Sequence, residues 1–239
     1  MKILKLIEKM LKSITPKPLR KYLRASRYEV KMERLAPVDL IVHVGAHWAE
    51  DANIYEKYGA ETVLWVEADP TTYNKLCEVL DNRVSDTRHL TECALVSATG
   101  GQDLIFRRFN NDGASSSVHA STDTYRARFP DSRETGEVLE MKTRSLPEIL
   151  EAHNVVPTQA NLAMLVLDVQ GHELSVLQGL GEGLQNFQLC KCEVSRIPMY
   201  DGGVQFSQLD AYFRAQGFKL ISHSYLLVPR HGDVLYQRV

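Results

Sequence analysis

The chain has 239 residues, of which 44% are hydrophobic and 24% are charged, with 14 glycines and 9 prolines. These proportions are typical of a globular protein and exclude the collagen-like, low-complexity and disordered classes. The four cysteines are too few for a disulfide scaffold, and the longest apolar run is shorter than the roughly 18 residues that a membrane span requires. We therefore expect a cytoplasmic globular domain, in which Cys190 and Cys192 are buried free thiols.

Charge is distributed unevenly along the chain. Residues 1–36 carry eleven basic and three acidic side chains, a net charge of +8, whereas residues 37–239 carry 17 basic and 27 acidic side chains, a net charge of -10. An acidic body lacks the basic face that phosphate contacts require, so we expect no nucleic-acid partner. The sequence thus divides into a basic helical extension (1–36) and a main domain (37–239).

The start of the extension is predicted to be an amphipathic helix. Its apolar residues share one face and its lysines lie on the other, which excludes a signal peptide. The apolar positions are Ile3, Ile7, Met10, Leu11 and Ile14. Residues 1–24 are expected either to pack on the main domain or on a second copy of the chain, or to lie on an anionic membrane surface. Contact with a membrane surface would place the protein peripherally at the inner face of the membrane.

From residue 38 onward, apolar runs alternate with helix-like segments. The predicted strands are 38–44, 61–67, a short strand within 88–97, 161–169 and 187–194, and the predicted helices are 51–59, 70–81, 172–180 and 206–217. The runs 218–222 and 233–238 are expected to pair antiparallel. This alternation predicts an α/β fold with a doubly wound, mostly parallel sheet. Region 100–140 interrupts the alternation and is predicted to form a substrate lid.

The ends of the first two strands predict an adenosine-binding site, because ligands of open parallel sheets bind beyond the carboxyl ends of the strands. Gly45 permits a tight turn after the first strand. Glu67 ends the second strand 22 residues later, where an acid can accept hydrogen bonds from ribose hydroxyls. The window G-A-H-W-A-E lacks the later glycines of a dinucleotide motif, which favours S-adenosylmethionine over NAD or FAD. The predicted cofactor-binding residues are His43, Gly45, Ala46, His47, Glu67, Ala68, Ala94 and Asp168.

The ends of the next two long strands carry the candidate catalytic groups. Asp168 follows a buried run, His172 and Glu173 open the next helix, and Glu193 ends the following strand. Structural alternatives remain open: Asp168 and Glu173 suit a helix N-terminus, and Glu193 suits an ion pair with Arg196. The predicted catalytic residues are Asp168, Glu173, His172 and Glu193. Three arginines, at positions 126, 128 and 133, are either solvated or receive an anionic group of the substrate.

Three segments in this order resemble the FkbM-type S-adenosylmethionine-dependent methyltransferases: VHVGAHWAED (42–51), VLWVEADP (63–70) and LVLDVQGHELSVLQGL (165–180). The segments TRSLPEIL (143–150) and CEVSRIPMYDGG (192–203) extend the resemblance to roughly residues 38–222. The chain departs from the family pattern at His43, where Asp is common, at His47, where Asn is common, at Ala49, where Gly is usual, and at Gln170, where the motif D-V-E-G-x-E has its middle Glu.

The resemblance implies a class I methyltransferase fold, Rossmann-like, with a seven-stranded sheet whose last strand is antiparallel. The implied activity is O-methylation of a hydroxyl on a sugar, a glycan such as a surface polysaccharide, or a small metabolite. Asp168 is then the first candidate for the general base, with His172 or Glu193 as substitutes. A divalent metal held by Asp168 and a second carboxylate is an alternative for which the sequence shows no dedicated ligand set. The alternative function is a non-catalytic protein of this fold that docks a partner or a membrane through its basic N-terminal helix.

Overall fold

The computed structural model describes residues 31–223 and 231–239. The predicted amphipathic helix, and with it the expected contact through residues 1–24, lies outside the described residues. Residues 31–35 are helical, and Met32 is fully buried among residues of the main domain. The last residues of the extension therefore pack on the domain. Within the described residues, no helix is both long enough and apolar enough to cross a membrane.

Beyond the helical residues 31–35, the described part of the chain contains ten strands and six α-helices. The strands are β1 (Leu40–Val44), β2 (Thr62–Glu67), β3 (Arg88–Cys93), β4 (Leu95–Val96), β5 (Asp103–Phe109), β6 (Glu134–Arg144), β7 (Ala163–Leu167), β8 (Leu189–Ser195), β9 (Phe218–His223) and β10 (His231–Arg238). The α-helices are α1 (Ala52–Lys57), α2 (Pro70–Asp81), α3 (Asp123–Arg128), α4 (Leu146–Ala152), α5 (Glu173–Leu180) and α6 (Phe206–Ala215). Short 3-10 helices lie at Pro157–Gln159 and Gly181–Asn186.

The main sheet has seven strands in the order β3-β2-β1-β7-β8-β10-β9. The five strands from β3 to β8 run parallel, and β10 is antiparallel to both β8 and β9. The predicted fold class is thus confirmed. The chain moves outward from β1 to β3 and then returns to the other side of β1, so the strand order reverses between β1 and β7. A reversal of this kind opens a crevice at the carboxyl edge of the sheet.

The interior of the sheet is apolar on both faces. Along β7, which is completely buried, Leu165 and Leu167 face one core cluster, whereas Met164 and Val166 face the other. A strand covered on both faces needs no polar alternation, which explains the continuous apolar run in the sequence. Cys190 and Cys192 are buried free thiols in the first of these clusters, as predicted.

The region predicted as a lid forms a small second sheet with the order β4-β6-β5. It is therefore more regular than its Gly, Ser, Asn and Asp content indicates. Arg108 on β5 anchors this sheet near the end of β2 by donating to Asp69 through Nε at 2.6 Å and Nη2 at 2.5 Å. Ser117, in the connection between β5 and β6, donates to the backbone oxygen of Gln170 at 2.8 Å. Region 100–140 thus lies against the loops that follow β2 and β7.

Candidate active site

A cavity of about 410 Å³ lies at the carboxyl ends of β1, β2 and β7. Every residue predicted to bind a cofactor lines it: His43, Gly45, Ala46, His47, Glu67, Ala68, Ala94 and Asp168. Four strand-end segments, separated by up to 125 positions in the sequence, therefore meet in one cavity. They meet because parallel strands present their carboxyl ends at the same edge of a sheet.

The turn after β1 forms the floor of this cavity. Gly45 has φ +82°, and its backbone N–H and that of Ala46 donate to the oxygen of Val66 at 2.9 and 3.1 Å. On the other side, the N–H of Asp168 donates to the oxygen of Val44 at 3.0 Å. The turn is thus held between β2 and the residue that follows β7. This leaves no room for a side chain at position 45 and allows a ligand to approach the backbone closely.

Glu67 is a buried carboxylate that the backbone holds in one orientation. Its Oε2 accepts from the N–H of His47 and its Oε1 accepts from the N–H of Asp69, both at 2.9 Å. Burial raises the pKa of Glu67 to about 7. Each oxygen retains a lone pair beyond the backbone contact, so Glu67 can accept two further hydrogen bonds from one ligand.

His43 and His47 both line the cavity, but their surroundings shift their pKa values in opposite directions. Burial lowers the pKa of His43 to about 4, and its Nδ1 lies 3.1 Å from Tyr55 Oη, so its imidazole is neutral. For His47, burial lowers the pKa, but the contacts with Glu50, the oxygen of Asp112 and Glu67 together outweigh it and the pKa is raised overall. Nε2 of His47 lies 3.0 Å from the backbone oxygen of Asp112, and this contact connects the turn after β1 to region 100–140.

One part of the cavity lining carries charges of both signs. Lys191 Nζ lies 3.4 Å from Asp51 Oδ2, and both residues line the cavity together with Asp233. The same ligand can therefore meet a cationic and an anionic side chain. Such a pair suits a zwitterionic amino-acid group.

A second cavity of about 280 Å³ adjoins the first. The residues that line both cavities are Ala114, Asp168, Gln170 and Glu193. Four aromatic side chains line the second cavity, namely those of Tyr125, Phe129, Tyr200 and Phe206, and hydroxyl and amide groups lie between them. A ligand in the second cavity can thus contact a ligand in the first beside two carboxyl groups.

Gln170 connects these two carboxyl groups at the junction. Its Nε2 donates to Asp168 Oδ1 at 2.6 Å and to Glu193 Oε2 at 2.7 Å, and its Oε1 accepts from Tyr200 Oη at 2.7 Å. Burial and the neighbouring Glu193 raise the pKa of Asp168 well above its usual range. Burial opposes ionisation of Glu193 as well, but contacts with His231 lower its pKa overall. The pKa of Asp168 is thus raised and that of Glu193 is lowered, so a proton shared by the pair favours Asp168 over Glu193.

His231 is a residue of this site that the sequence reasoning missed. It is the first residue of β10, pairs in register with Ser195 and places Nε2 3.0 Å from Glu193 Oε1. The predicted last strand begins at residue 233, two positions too late. The available signal was the antiparallel direction of this strand, which brings its start, rather than its end, to the carboxyl edge of the sheet.

The other two predicted catalytic residues lie in the turn that begins α5. Glu173 is buried, and its Oε1 accepts from the N–H groups of Val169 and Gly171 at 3.2 and 3.1 Å. His172 Nε2 lies 3.0 Å from Ser97 Oγ, and burial lowers its pKa to about 4. His172 lines the first cavity and Glu173 the second, whereas only Asp168 and Glu193 lie at the junction.

The three arginines considered as receptors for an anionic group line neither cavity. Arg126 donates to the oxygen of Ser121 and to Asp123 Oδ1, and the guanidinium of Arg128 lies 5.5 Å from the ring centre of Phe129. All three arginines are exposed, which agrees with the solvated alternative. Among residues 31–223 and 231–239, no group of three or more His, Cys, Asp or Glu is arranged to hold a metal ion.

Comparison with known proteins identifies a family and several distant structural neighbours. The family model described as the methyltransferase FkbM domain matches residues 39–220. No curated protein sequence matches the chain. Sp1610 of Streptococcus pneumoniae, solved with S-adenosyl-L-methionine, is 11% identical with a TM-score of 0.46, over 89% of this chain and 72% of that chain. The ribosomal protein L11 methylase of Lactobacillus delbrueckii subsp. bulgaricus is 10% identical with a TM-score of 0.45, over 88% and 76%.

These two neighbours are too distant to carry a conclusion about activity or substrate. The family match, in contrast, covers well over half of the chain and includes every strand end that lines the two cavities except the start of β10. The resemblance to the FkbM-type methyltransferases that the sequence segments indicate is thereby confirmed. The chain belongs to the FkbM methyltransferase domain family.

Proposed function

We propose that the protein is an S-adenosylmethionine-dependent O-methyltransferase whose acceptor is a hydroxyl group of a neutral sugar, a glycan or a related small metabolite. The observation that carries the proposal is the junction of the two cavities. There, the carboxyl groups of Asp168 and Glu193 stand between the cavity that suits the cofactor and an aromatic cavity that suits a small polar ring.

The cofactor follows from the family, and the first cavity fits it. Glu67 is oriented to accept hydrogen bonds from both ribose hydroxyls, and Gly45 lets the backbone approach the ligand. Lys191 and Asp51 suit the carboxylate and the ammonium of the methionine portion. When bound, S-adenosylmethionine supplies a methyl group on a sulfonium centre, and the chain contributes binding and orientation.

The size and chemistry of the second cavity favour a single neutral ring as the acceptor group. Its volume of about 280 Å³ lies at the lower limit of ligand cavities, which begin at about 300 Å³. Aromatic faces alternate with polar groups such as Ser115 and Ser132, an arrangement that suits the apolar faces and polar edges of a sugar. Of the residues that line this cavity in the described part of the chain, none is Lys or Arg, so a phosphate or carboxylate on the acceptor would meet the carboxyl groups of Asp168, Glu173 and Glu193 without a Lys or Arg partner.

Transfer to oxygen, rather than to nitrogen, is favoured by the groups at the junction. A neutral amine is a good nucleophile, whereas a hydroxyl must lose a proton during attack, so a nearby base helps the second reaction. Glu193 and His231 provide an ionised carboxylate and an imidazole beside the second cavity. The in-line geometry of methyl transfer also requires both ligands to meet at one point, which the shared wall of the two cavities permits.

The test is methyl transfer from S-adenosylmethionine carrying a radioactive methyl group to a panel of acceptors. The panel contains neutral oligosaccharides and glycosides, anionic nucleotide sugars, RNA and a denatured protein, with S-adenosylhomocysteine as the inhibition control. We expect label in a neutral carbohydrate, stable to alkali because a methyl ether resists the hydrolysis that cleaves a methyl ester. Label in RNA or protein, or alkali-labile label, would contradict the proposal. Cofactor binding without transfer to any hydroxyl would instead favour the non-catalytic alternative.

A further inference from the structure

We propose that His231 is the general base that removes the proton from the acceptor hydroxyl, and that Glu193 is its positioning residue. The inference rests on the proposed O-methyltransferase activity and assigns the base within that site. The general base is therefore His231 and not Asp168, the residue that the sequence alone favours.

The location of His231 meets the requirement for an acceptor base. It lines the second cavity and does not line the first, so it borders the acceptor and leaves the cofactor contacts to other residues. Its ring lies against Phe129 at 6.2 Å between centres, with an edge-to-face angle of 69°, which restricts ring rotation. Antiparallel pairing of β10 with β8 fixes its backbone opposite Ser195, two residues from Glu193.

The contact with Glu193 also selects the nitrogen that acts. Nε2 of His231 lies 3.0 Å from Glu193 Oε1, so in the neutral imidazole Nε2 carries the hydrogen and Nδ1 carries the lone pair. Glu193 Oε2 in turn accepts from Gln170 Nε2 at 2.7 Å. The carboxylate is thus held from both sides, and it holds the imidazole in one tautomer.

The competing carboxyl groups are less suited to accept a proton. The Oδ1 of Asp168 accepts from Gln170 at 2.6 Å, and burial and Glu193 raise the pKa of its carboxyl group well above the usual range. Glu193 is ionised but already accepts from Gln170 and faces the hydrogen of His231. Glu173 uses its Oε1 to hold the turn before α5. Among the described residues that line this cavity, His231 is the one imidazole, and Nδ1 is its basic atom because Nε2 faces Glu193.

The charged groups around His231 shift its pKa in opposite directions. Glu193 on β8 is the main cause of a raised pKa, and Asp233 on β10 contributes in the same direction. Burial and Arg128 on α3 lower the pKa, and the balance is a raised value. A base of this kind is neutral above its pKa, so turnover is expected to rise with pH through that value.

Methyl transfer to the hydroxyl requires no reactant other than the cofactor, the acceptor and the imidazole of His231. The acceptor oxygen forms its bond to the methyl carbon, while the carbon–sulfur bond breaks and its electron pair goes to sulfur. The acceptor O–H bond breaks, and its proton moves to Nδ1 of His231. The products are a methyl ether, a neutral thioether and an imidazolium that the Glu193 carboxylate stabilises, and the imidazolium then releases its proton to solvent.

The variant His231→Gln tests the role, because a Gln amide can still donate to Glu193 but has no basic nitrogen. We expect kcat to fall by about 10² to 10⁴. Since position 231 lies outside the first cavity, the Kd for S-adenosylmethionine should stay within about threefold. The acidic limb of the pH profile of kcat should disappear. In Glu193→Gln, NMR titration should show that the pKa of His231 decreases, and the acidic limb should move to lower pH by the same amount.

The matched control is His153→Gln. His153 Nε2 lies 2.7 Å from Glu92 Oε2, so it forms a similar pair, but neither residue lines either cavity. This variant should retain wild-type kcat and the acidic limb. An unchanged kcat or an unchanged acidic limb in His231→Gln would overturn the inference while the activity of the wild type stands. Failure of the wild type to methylate any hydroxyl would overturn the proposed function and this inference together, whatever the NMR titration shows.

Discussion

A Cβ atom at position 45 would lie 1.9 Å from the backbone oxygen of Asp168. The turn that forms the floor of the cofactor cavity and the residue at the junction of the two cavities are therefore in direct contact. Position 45 must be Gly both for this reason and because its φ is +82°. Any larger residue would have to separate β1 from the end of β7, where the contact is entirely between backbone atoms.

Gly45→Ala is accordingly expected to impair both stability and cofactor binding. Overpacking against a backbone atom and a strained φ together should lower the free energy of unfolding by about 2–4 kcal/mol. The Kd for S-adenosylmethionine should increase at least about tenfold, because the displaced turn no longer carries the N–H groups of His47 and its neighbours in position. Denaturant unfolding and calorimetric titration measure the two effects.

Gly101→Ala is the matched control for this prediction. Gly101 has a similar φ of +77°, but a Cβ there meets no atom within 4 Å. It should therefore show only the cost of backbone strain, about 1 kcal/mol, and bind the cofactor normally. Equal effects of the two substitutions would mean that the approach of position 45 to Asp168 is unimportant.

Glu67 predicts a pH dependence of cofactor affinity. Burial raises its pKa to about 7, and ribose hydroxyls donate to the ionised carboxylate. The affinity for S-adenosylmethionine should therefore decrease as the pH falls through about 7, and binding below that pH should release a proton. Calorimetric titration between about pH 6 and 8, in buffers of different ionisation enthalpy, measures both the affinity and the released proton.

Glu67→Gln separates this effect from titration of other groups such as His47. The amide keeps an oxygen acceptor but loses the charge, so affinity above pH 7 should fall by about 10- to 100-fold, which corresponds to about 1.5–3 kcal/mol. The dependence on pH in this range should also disappear. A wild-type affinity that is constant across the range would show that Glu67 is ionised throughout or does not contact the ligand.

Although Asp51, Lys191 and Asp233 were not predicted to line the first cavity, its strand-end part could be predicted from the sequence. Its residues follow directly after apolar runs, and the parallel arrangement of β1, β2 and β7 brings those positions to one edge. The positions of apolar runs, together with the rule that ligands bind beyond the carboxyl ends of parallel strands, are sufficient to predict such a site. The strands and helices that were predicted agree with the structure within a few residues, and α2 is predicted without error at Pro70–Asp81 because Asp69 caps it and Pro70 opens it. No range was predicted for β5, β6, α3 or α4.

The acceptor cavity could be predicted only in part, since tertiary contacts of irregular segments build it. The role of His231 depends on the antiparallel register between β8 and β10, which no local pattern encodes. The position of Gln170 between two carboxyl groups depends on its φ of +52° and on the hydrogen bond from Tyr200. In the same way, the contacts of Glu173 with backbone N–H groups become visible only when the turn is seen in three dimensions.

Glu173 should behave as a residue that holds the turn before α5. In Glu173→Gln the Oε1 acceptor remains, so fold and kcat should be retained, whereas Glu173→Ala leaves two N–H groups unpaired and should lower the free energy of unfolding by about 2 kcal/mol. Urea unfolding of both variants and steady-state kinetics of the first measure these effects. Loss of activity in Glu173→Gln with an intact fold would make the carboxylate catalytic.

The same substitution also predicts a change in the pH dependence of stability. Burial raises the pKa of Glu173 to about 7 in the folded protein, above its ordinary value of 4.5. Between these values the folded state binds more protons than the unfolded state, so the free energy of unfolding should decrease as the pH rises from about 4.5 to 7. Glu173→Gln should show a shallower decrease than the wild type over this interval. Parallel curves would indicate that Glu173 is ionised in the folded protein.

Asp168→Asn distinguishes the two candidate bases of the site. The pKa of Asp168 is raised well above its usual range and its Oδ1 accepts from Gln170 Nε2, and Asn presents a neutral side chain with the same oxygen acceptor. If His231 removes the proton, kcat in Asp168→Asn should stay within about tenfold of the wild type, and the acidic limb of its pH profile should remain. A loss of about 10² or more, with the cofactor still bound, would assign the base to Asp168 and leave His231 to orient Glu193. Steady-state kinetics of this variant beside His231→Gln, at saturating cofactor and over the same pH range, decides between the two.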